Sequence, residues 1–204
     1  MKIVLSDINK SMTDAWETEF SGYSNIDIVN DSIFNVKSDA IISPANSFGI
    51  MDGGIDGKLR DYFGLSIETA VRTKIKQAYQ GELPVGCAIV LPTGNKQFPY
   101  LISAPTMRVP EEVSKSLNAY LAMRAILITA LANKEISTLA VPGLCALSGR
   151  MPYEIVARQM RVAWDKIIIG SIQYSHWREE KQLQSYLKCE TDILPYNLER
   201  NARM

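Results

Sequence analysis

The chain predicts a layered α/β domain built on a mixed, mostly parallel sheet. Three observations carry this expectation. Short apolar runs rich in β-branched residues alternate with longer helical patterns along most of the 204 residues. One such run, Asp39-Ala-Ile-Ile-Ser43, leads straight into a glycine-rich segment and then a helical pattern. With 47% apolar residues and a formal charge of zero, the composition suits a packed core and argues against disorder.

In chain order, strands are expected at 2–6, 26–29, 39–43, 86–91, 100–104 and 138–142. A first helix is expected over 10–20, capped by Asn9 or Ser11. The pattern at 56–80 is helical and is broken near Gly64. A helix over 114–133 carries Leu117, Leu121, Ala125, Ile128 and Leu131 at helical spacing, which marks that stripe and Trp164 as core. A further helix is expected over 152–168. Residues 1–175 read as one domain. Residues 176–204 read as a polar C-terminal extension, helical over 176–188 and frayed at the end.

Bulk properties narrow the function. Neutral charge removes the electrostatic basis for non-specific nucleic-acid binding. No apolar run reaches the roughly 18 residues a membrane helix needs. The N-terminal run turns polar too soon for a signal peptide. Cys87, Cys145 and Cys189 are odd in number and scattered, which suits a reducing, cytoplasmic setting. A single histidine, His176, offers little basis for a metal site. No metal or cofactor is called for.

The chemistry concentrates at Asn46-Ser-Phe-Gly-Ile-Met-Asp52-Gly-Gly-Ile-Asp56-Gly57. Glycines let the backbone approach an anion, and a following helix start offers unpaired N–H groups and a positive dipole end. In a parallel sheet, ligands bind where strands end in loops. This segment and the Pro142–Pro152 loop both follow expected strands, so both belong on one rim. Structural readings stand beside the functional ones. Asn46 can simply shape its own loop, and Asp56 can cap a helix. Gly53 and Gly54 can serve only a tight turn. Arg108 can anchor a loop rather than reach a phosphate. Cys145-Ala-Leu-Ser-Gly-Arg150 is similar to the nucleophile loop of cysteine phosphatases, but that loop needs five residues between Cys and Arg and four stand here. A small buried residue is the simpler reading of Cys145.

Together these motifs resemble the macrodomain family. They are most similar to a bacterial and phage-like branch with Ser43-Pro-Ala-Asn-Ser-Phe-Gly49 and Met51-Asp-Gly-Gly-Ile-Asp56. Val85-Gly86, Pro92-Thr-Gly94 and Ala104-Pro-Thr-Met-Arg-Val-Pro110 extend the match, which covers about residues 1–170. The resemblance implies a three-layer α/β/α fold that binds ADP-ribose or a related nucleotide diphosphate. Hydrolysis of ADP-ribosyl bonds is the implied activity, and ADP-ribosylated proteins are implied partners. It places Asn46 at the distal ribose, the Gly53, Gly54 and Ile55 backbone at the diphosphate, and Asp56 beside the attacking water. A non-catalytic reader, or an interaction domain whose pocket is occluded by Leu147, stands as the alternative.

Three departures from the family pattern bear on the site. The family's adenine-reading aspartate is matched by Asp31 in residue type and by Ser32 in spacing to Asp39. The second phosphate loop, here Pro142-Gly-Leu-Cys-Ala-Leu-Ser148-Gly149-Arg150, replaces the family's Thr-Gly by Ala146-Leu147. Arg150 can restore affinity there by a charge-assisted contact, alongside Ser148 and Gly149. Gly149 occupies the position of the family's distal-ribose aromatic, with Tyr153 near enough to substitute.

Overall fold

The computed structural model describes residues 1–172 and 176–194. Six strands form one sheet: β1 (Lys2–Ser6), β2 (Ile26–Val29), β3 (Ala40–Ser43), β4 (Ile89–Pro92), β5 (Tyr100–Ser103) and β6 (Thr138–Val141). Their order is β2-β1-β6-β3-β5-β4. Every neighbouring pair is parallel except β4 with β5. The central strand β3, Ala-Ile-Ile-Ser, is buried along its whole length, as a strand covered on both faces must be.

Six α-helices occur among the described residues: α1 (Lys10–Glu19), α2 (Gly54–Phe63), α3 (Leu65–Tyr79), α4 (Asn118–Leu131), α5 (Tyr153–Trp164) and α6 (Trp177–Leu187). Alternation along the strands sorts them into layers. Ile41, Leu101 and Ala140 pack with Leu59, Val71 and Ile75 of α2 and α3. Ile42, Ile102 and Val141 pack with Trp16, Met123 and Val156 of α1, α4 and α5. The result is a three-layer α/β/α sandwich. No helix of the described residues is long and apolar enough to cross a membrane.

Local chemistry sets the boundaries. Asn9 caps α1 by accepting from the Ser11 N–H at 2.9 Å. Gly64 separates α2 from α3 at φ 90°, where a side chain would be strained. α2 begins at Gly54, ahead of the expected 56, so Asp56 lies within its first turn and is not the cap. α4 begins four residues later than expected, at Asn118, whose N–H donates to the Ser116 hydroxyl at 3.1 Å. The stripe read on α4 is also corrected. Ile128 and Leu131 are exposed, while Ala119, Ala122, Met123 and Ile126 are buried. That helix is apolar nearly all round, so its periodicity allowed more than one stripe, and small alanines let the layers approach.

The C-terminal helix α6 docks on α5 through Leu183, Tyr186 and Leu187. A buried polar cluster backs this contact. Arg161 donates to Asp165 at 2.6 Å, to Glu19 at 2.7 Å and to the Tyr186 hydroxyl at 2.7 Å. Tyr23 donates to Asp165 at 2.6 Å. The expected frayed end at 197–204 lies outside the described residues. Arg161→Met should cost about 3–5 kcal/mol of stability, because it leaves buried carboxylates without their shared cation. Urea unfolding of the variant against the parent protein measures this.

Candidate active site

Five parallel strands send their C-terminal ends to one rim. The segments after β1, β2, β3, β5 and β6 meet there around a cavity of about 400 Å³. Antiparallel β4 points the other way and contributes nothing to the lining. The glycine segment and the Pro142–Gly149 loop both line the cavity, and they follow the neighbouring strands β3 and β6.

Asp56 is the most unusual group in this cavity. It is only 7% exposed, although it lines the wall. Its Oδ1 accepts the Ser43 hydroxyl at 2.6 Å, from the last residue of β3. Burial pushes its carboxyl up from 3.8 to about 6, against the opposing pull of the Ser43 hydrogen bond, and Asp52 adds a like-charge push. Ser43 engages one oxygen, and no hydrogen bond to the other is found among the described residues. Ser103, beside Ser43 in the β3–β5 register, is fully buried and its hydroxyl has no protein partner among the described residues.

The approach to Asp56 runs along the start of α2. Gly54 adopts φ 58° and the helix continues directly from it. A left-handed residue followed by right-handed ones turns successive N–H groups into a concave nest. The N–H groups of Gly54 and Ile55 sit in the first turn, where a helix provides no internal acceptor. Gly53 lines the cavity beside them. This nest can hold an anion, with the helix dipole favouring negative charge.

Asn46 also lines the cavity, but its side chain is engaged locally. Its Nδ2 donates to the Ile50 carbonyl at 2.7 Å, and its Oδ1 accepts from the Phe48 and Ile50 N–H groups at 3.1 and 3.3 Å. The loop-shaping reading of Asn46 is thus observed, with a second Nδ2 hydrogen left over for a ligand. Ser32 also lines the cavity. Asp31 is not among the lining residues. Its carboxylate is exposed and receives the Asn35 amide and the Ser32 N–H, which hold it below the usual carboxylate range.

The second loop differs from expectation at several points. Ser148 and Gly149 line the cavity, but Arg150 does not. The Arg150 side chain is 77% exposed and its guanidinium stands 4.0 Å from Glu112. The left-handed positions fall on Cys145 (φ 63°) and Arg150 (φ 51°), not on Leu147. Leu147 is 74% exposed at the rim, so it leaves the cavity open. A Cβ at Gly149 would stand 2.5 Å from the Cys145 carbonyl oxygen, which bars any aromatic there. Tyr153 is turned away, accepting from Asn9 Nδ2 at 2.8 Å. Cys145 is buried and burial pushes its thiol up to about 12, which removes the thiolate a phosphatase needs. Arg108 is an anchor: it grips Glu82 at 2.7 and 3.0 Å and lies over the Phe48 ring.

Several lining residues were missed in the sequence. Among them Asp7 and Ile8 follow β1 on the same rim, and Lys58 and Thr106 belong to the walls. The rule that located the glycine segment applies equally to Asp7, which follows a strand directly. Among the described residues no group of three or more His, Cys, Asp or Glu side chains is placed to hold a metal ion.

Comparison with known proteins agrees with this geometry. The family model "Macro domain" matches residues 42–160, which span both loops and Asp56. An uncharacterized protein of Aquifex aeolicus is 36% identical over 137 residues, covering 67% of this chain and 78% of that one. The macrodomain of Mycobacterium tuberculosis DarG shares the fold with a TM-score of 0.58 at 21% identity, over 67% of this chain and 87% of its own. Thermosipho africanus DarTG, solved in complex with ADP-ribose, does so with a TM-score of 0.56 at 16% identity, over 71% of this chain and 46% of its own. With the family model covering more than half of the chain, and the sheet order and rim cavity in place, the protein belongs to the macrodomain family.

Proposed function

We propose that the rim cavity binds ADP-ribose and that Asp56 drives hydrolysis of an ADP-ribosyl bond. The observation that carries this is the buried Asp56 carboxylate standing in the same helix turn as the Gly53–Ile55 nest. The cavity volume of about 400 Å³ lies in the range of small-molecule sites. A related fold has been solved in complex with ADP-ribose, which supports the ligand class.

On this reading the diphosphate lies on the nest, where backbone N–H groups and the helix dipole neutralise it. Asp52 and Asp56 then border the distal ribose, because carboxylates and a diphosphate repel each other. Asn46 offers its remaining amide hydrogen to that sugar. The free oxygen of Asp56 takes a proton from a water molecule that attacks the anomeric carbon. The bond from that carbon to the modified group breaks, and the leaving group departs with the electron pair. An acid of about 6 is suited to this, being mostly ionised near neutral pH while still able to hold a proton.

A non-catalytic reader of ADP-ribosylated proteins is the second reading. The engaged Asn46 side chain favours it, since a residue committed to its own loop orients a substrate less freely.

Three outcomes test the proposal. Calorimetry should give saturable binding of ADP-ribose and much weaker binding of AMP. Asp56→Asn should cut turnover of an ADP-ribosylated protein by about 10²–10⁴-fold with affinity for ADP-ribose kept within a few-fold. The parent protein's kcat/KM should rise with pH through about 6, as Asp56 loses its proton. Unchanged turnover in the variant removes the catalytic assignment and leaves the reader. Stability should move oppositely. Folding raises the affinity of Asp56 for its proton, so stability falls as pH rises from 3.8 through about 6. Asp56→Asn should therefore be more stable than the parent by about 1–3 kcal/mol at pH 7.5, with the gap closing near pH 4. Denaturant unfolding at both pH values measures it.

A further inference from the structure

We propose that Ile50, Val109 and Leu147 form an apolar lip on the cavity mouth, and that this lip docks the polypeptide carrying the ADP-ribosyl group, through an apolar side chain beside the modified residue. This rests on the ADP-ribose reading and names the partner surface of the same site.

Three segments meet at the lip. Asn46 and Ile50 are joined by two hydrogen bonds, from Asn46 Nδ2 to the Ile50 carbonyl at 2.7 Å and from the Ile50 N–H to Asn46 Oδ1 at 3.3 Å. The segment after β5 runs beside them. Met107 pairs with Asn46, and the Ser47 N–H donates to the Arg108 carbonyl at 3.1 Å. A few residues on, the same segment holds the second loop, where the Val113 N–H donates to the Gly149 carbonyl at 2.9 Å. Glycine permits this approach, since a Cβ at residue 149 would stand 2.7 Å from the Val113 side chain. Residues 107–113 therefore bridge the glycine segment and the loop that carries Leu147.

The apolar side chains along this bridge are open to water. Ile50 is 39% exposed, Val109 40% and Leu147 74%. Ile50 and Leu147 also line the cavity, as does Pro110 beside Val109. Exposed apolar residues scattered singly need no explanation, but a group of them around a cavity marks a contact surface. Leu147 stands where the family pattern has glycine, and its exposure shows that it adds little to packing within the domain.

Position and charge name the occupant. Ile50 is bonded to Asn46, which the ADP-ribose reading sets at the distal ribose, the end from which the modified group departs. Whatever carries the ADP-ribosyl group then passes the lip. Both arginines beside it face carboxylates: Arg108 grips Glu82 at 2.7 Å, and Arg150 stands 4.0 Å from Glu112. Glu111 and Glu112 are themselves exposed. A phosphodiester backbone would be repelled by those acids, whereas an apolar side chain of a polypeptide would shield Val109 and Leu147 from water.

The test is calorimetry on the full chain with free ADP-ribose and two peptides that carry ADP-ribose through a link water does not cleave. The peptides differ only beside the modified residue, with leucine in one and serine in the other. The leucine peptide should bind at least about 5-fold more tightly than the serine peptide or free ADP-ribose. Leu147→Ser combined with Val109→Ser should erase that preference, with free ADP-ribose bound as before to within about twofold. Both side chains lie at the surface, and melting curves establish that the double variant folds. Equal binding of all three ligands by the parent protein overturns the lip and leaves the ADP-ribose reading standing. A leucine preference that survives in the double variant overturns it as well. An ADP-ribosylated oligonucleotide bound more tightly than the leucine peptide overturns the polypeptide assignment. A parent dimer in sedimentation that the double variant disperses gives the lip to a second copy of the chain instead. Saturable binding of none of the ligands removes the ADP-ribose reading itself.

Discussion

The hydrogen bond from Ser43 to Asp56 is the constraint around which the site is organised. It spans 2.6 Å between the last residue of the central strand and the first turn of α2. β3 lies in the middle of the sheet and is buried on both faces, so Ser43 has no freedom to move. Asp56 is therefore held in place by the most rigid element of the fold. Because Asp56 sits on the same helical turn as Gly54 and Ile55, holding one places the other. The nest and the carboxylate reach the cavity as a unit.

Polarity along the cavity follows from the same arrangement. Asp7, Asp52, Asp56 and the glycines at the start of α2 all line the cavity. The second loop adds shape more than charge: Arg150 leaves the cavity toward Glu112, and Leu147 stays at the rim.

The second loop also illustrates how backbone conformation escapes inspection of residue types. The substitution of Thr-Gly by Ala146-Leu147 directs attention to leucine at a position where the family pattern has glycine. The chain meets that need elsewhere, by placing Cys145 and Arg150 in the left-handed region. Hydrogen bonds from the Arg150 N–H to the Leu147 carbonyl and from the Met151 N–H to the Cys145 carbonyl, both 3.1 Å, hold the loop in that form. Cys145 is thereby turned inward, where its sulfur packs near the Thr106 carbonyl and loses the exposure that reactivity requires.

Much of the architecture was legible from residue order, because strand and helix patterns depend on near neighbours. All six strands fell within three residues of their expected starts, and the break at Gly64 follows from glycine's freedom at φ 90°. The glycine segment announced itself because strand, amide, glycines and carboxylates occur in sequence. Long-range pairing was not legible. Ser43 and Asp56 are 13 residues apart, and Asp7 and Gly143 are 136 apart. No local pattern says that such groups meet. The sequence by itself determined which segments become strands, which loops carry polar chemistry, and that both loops share a rim. Only the tertiary structure decided which polar atoms face the cavity, because burial and partner choice are properties of packed layers. That is why Asp56 acquires an unusual proton affinity, Cys145 falls silent, Arg150 turns outward and Asp7 enters the site.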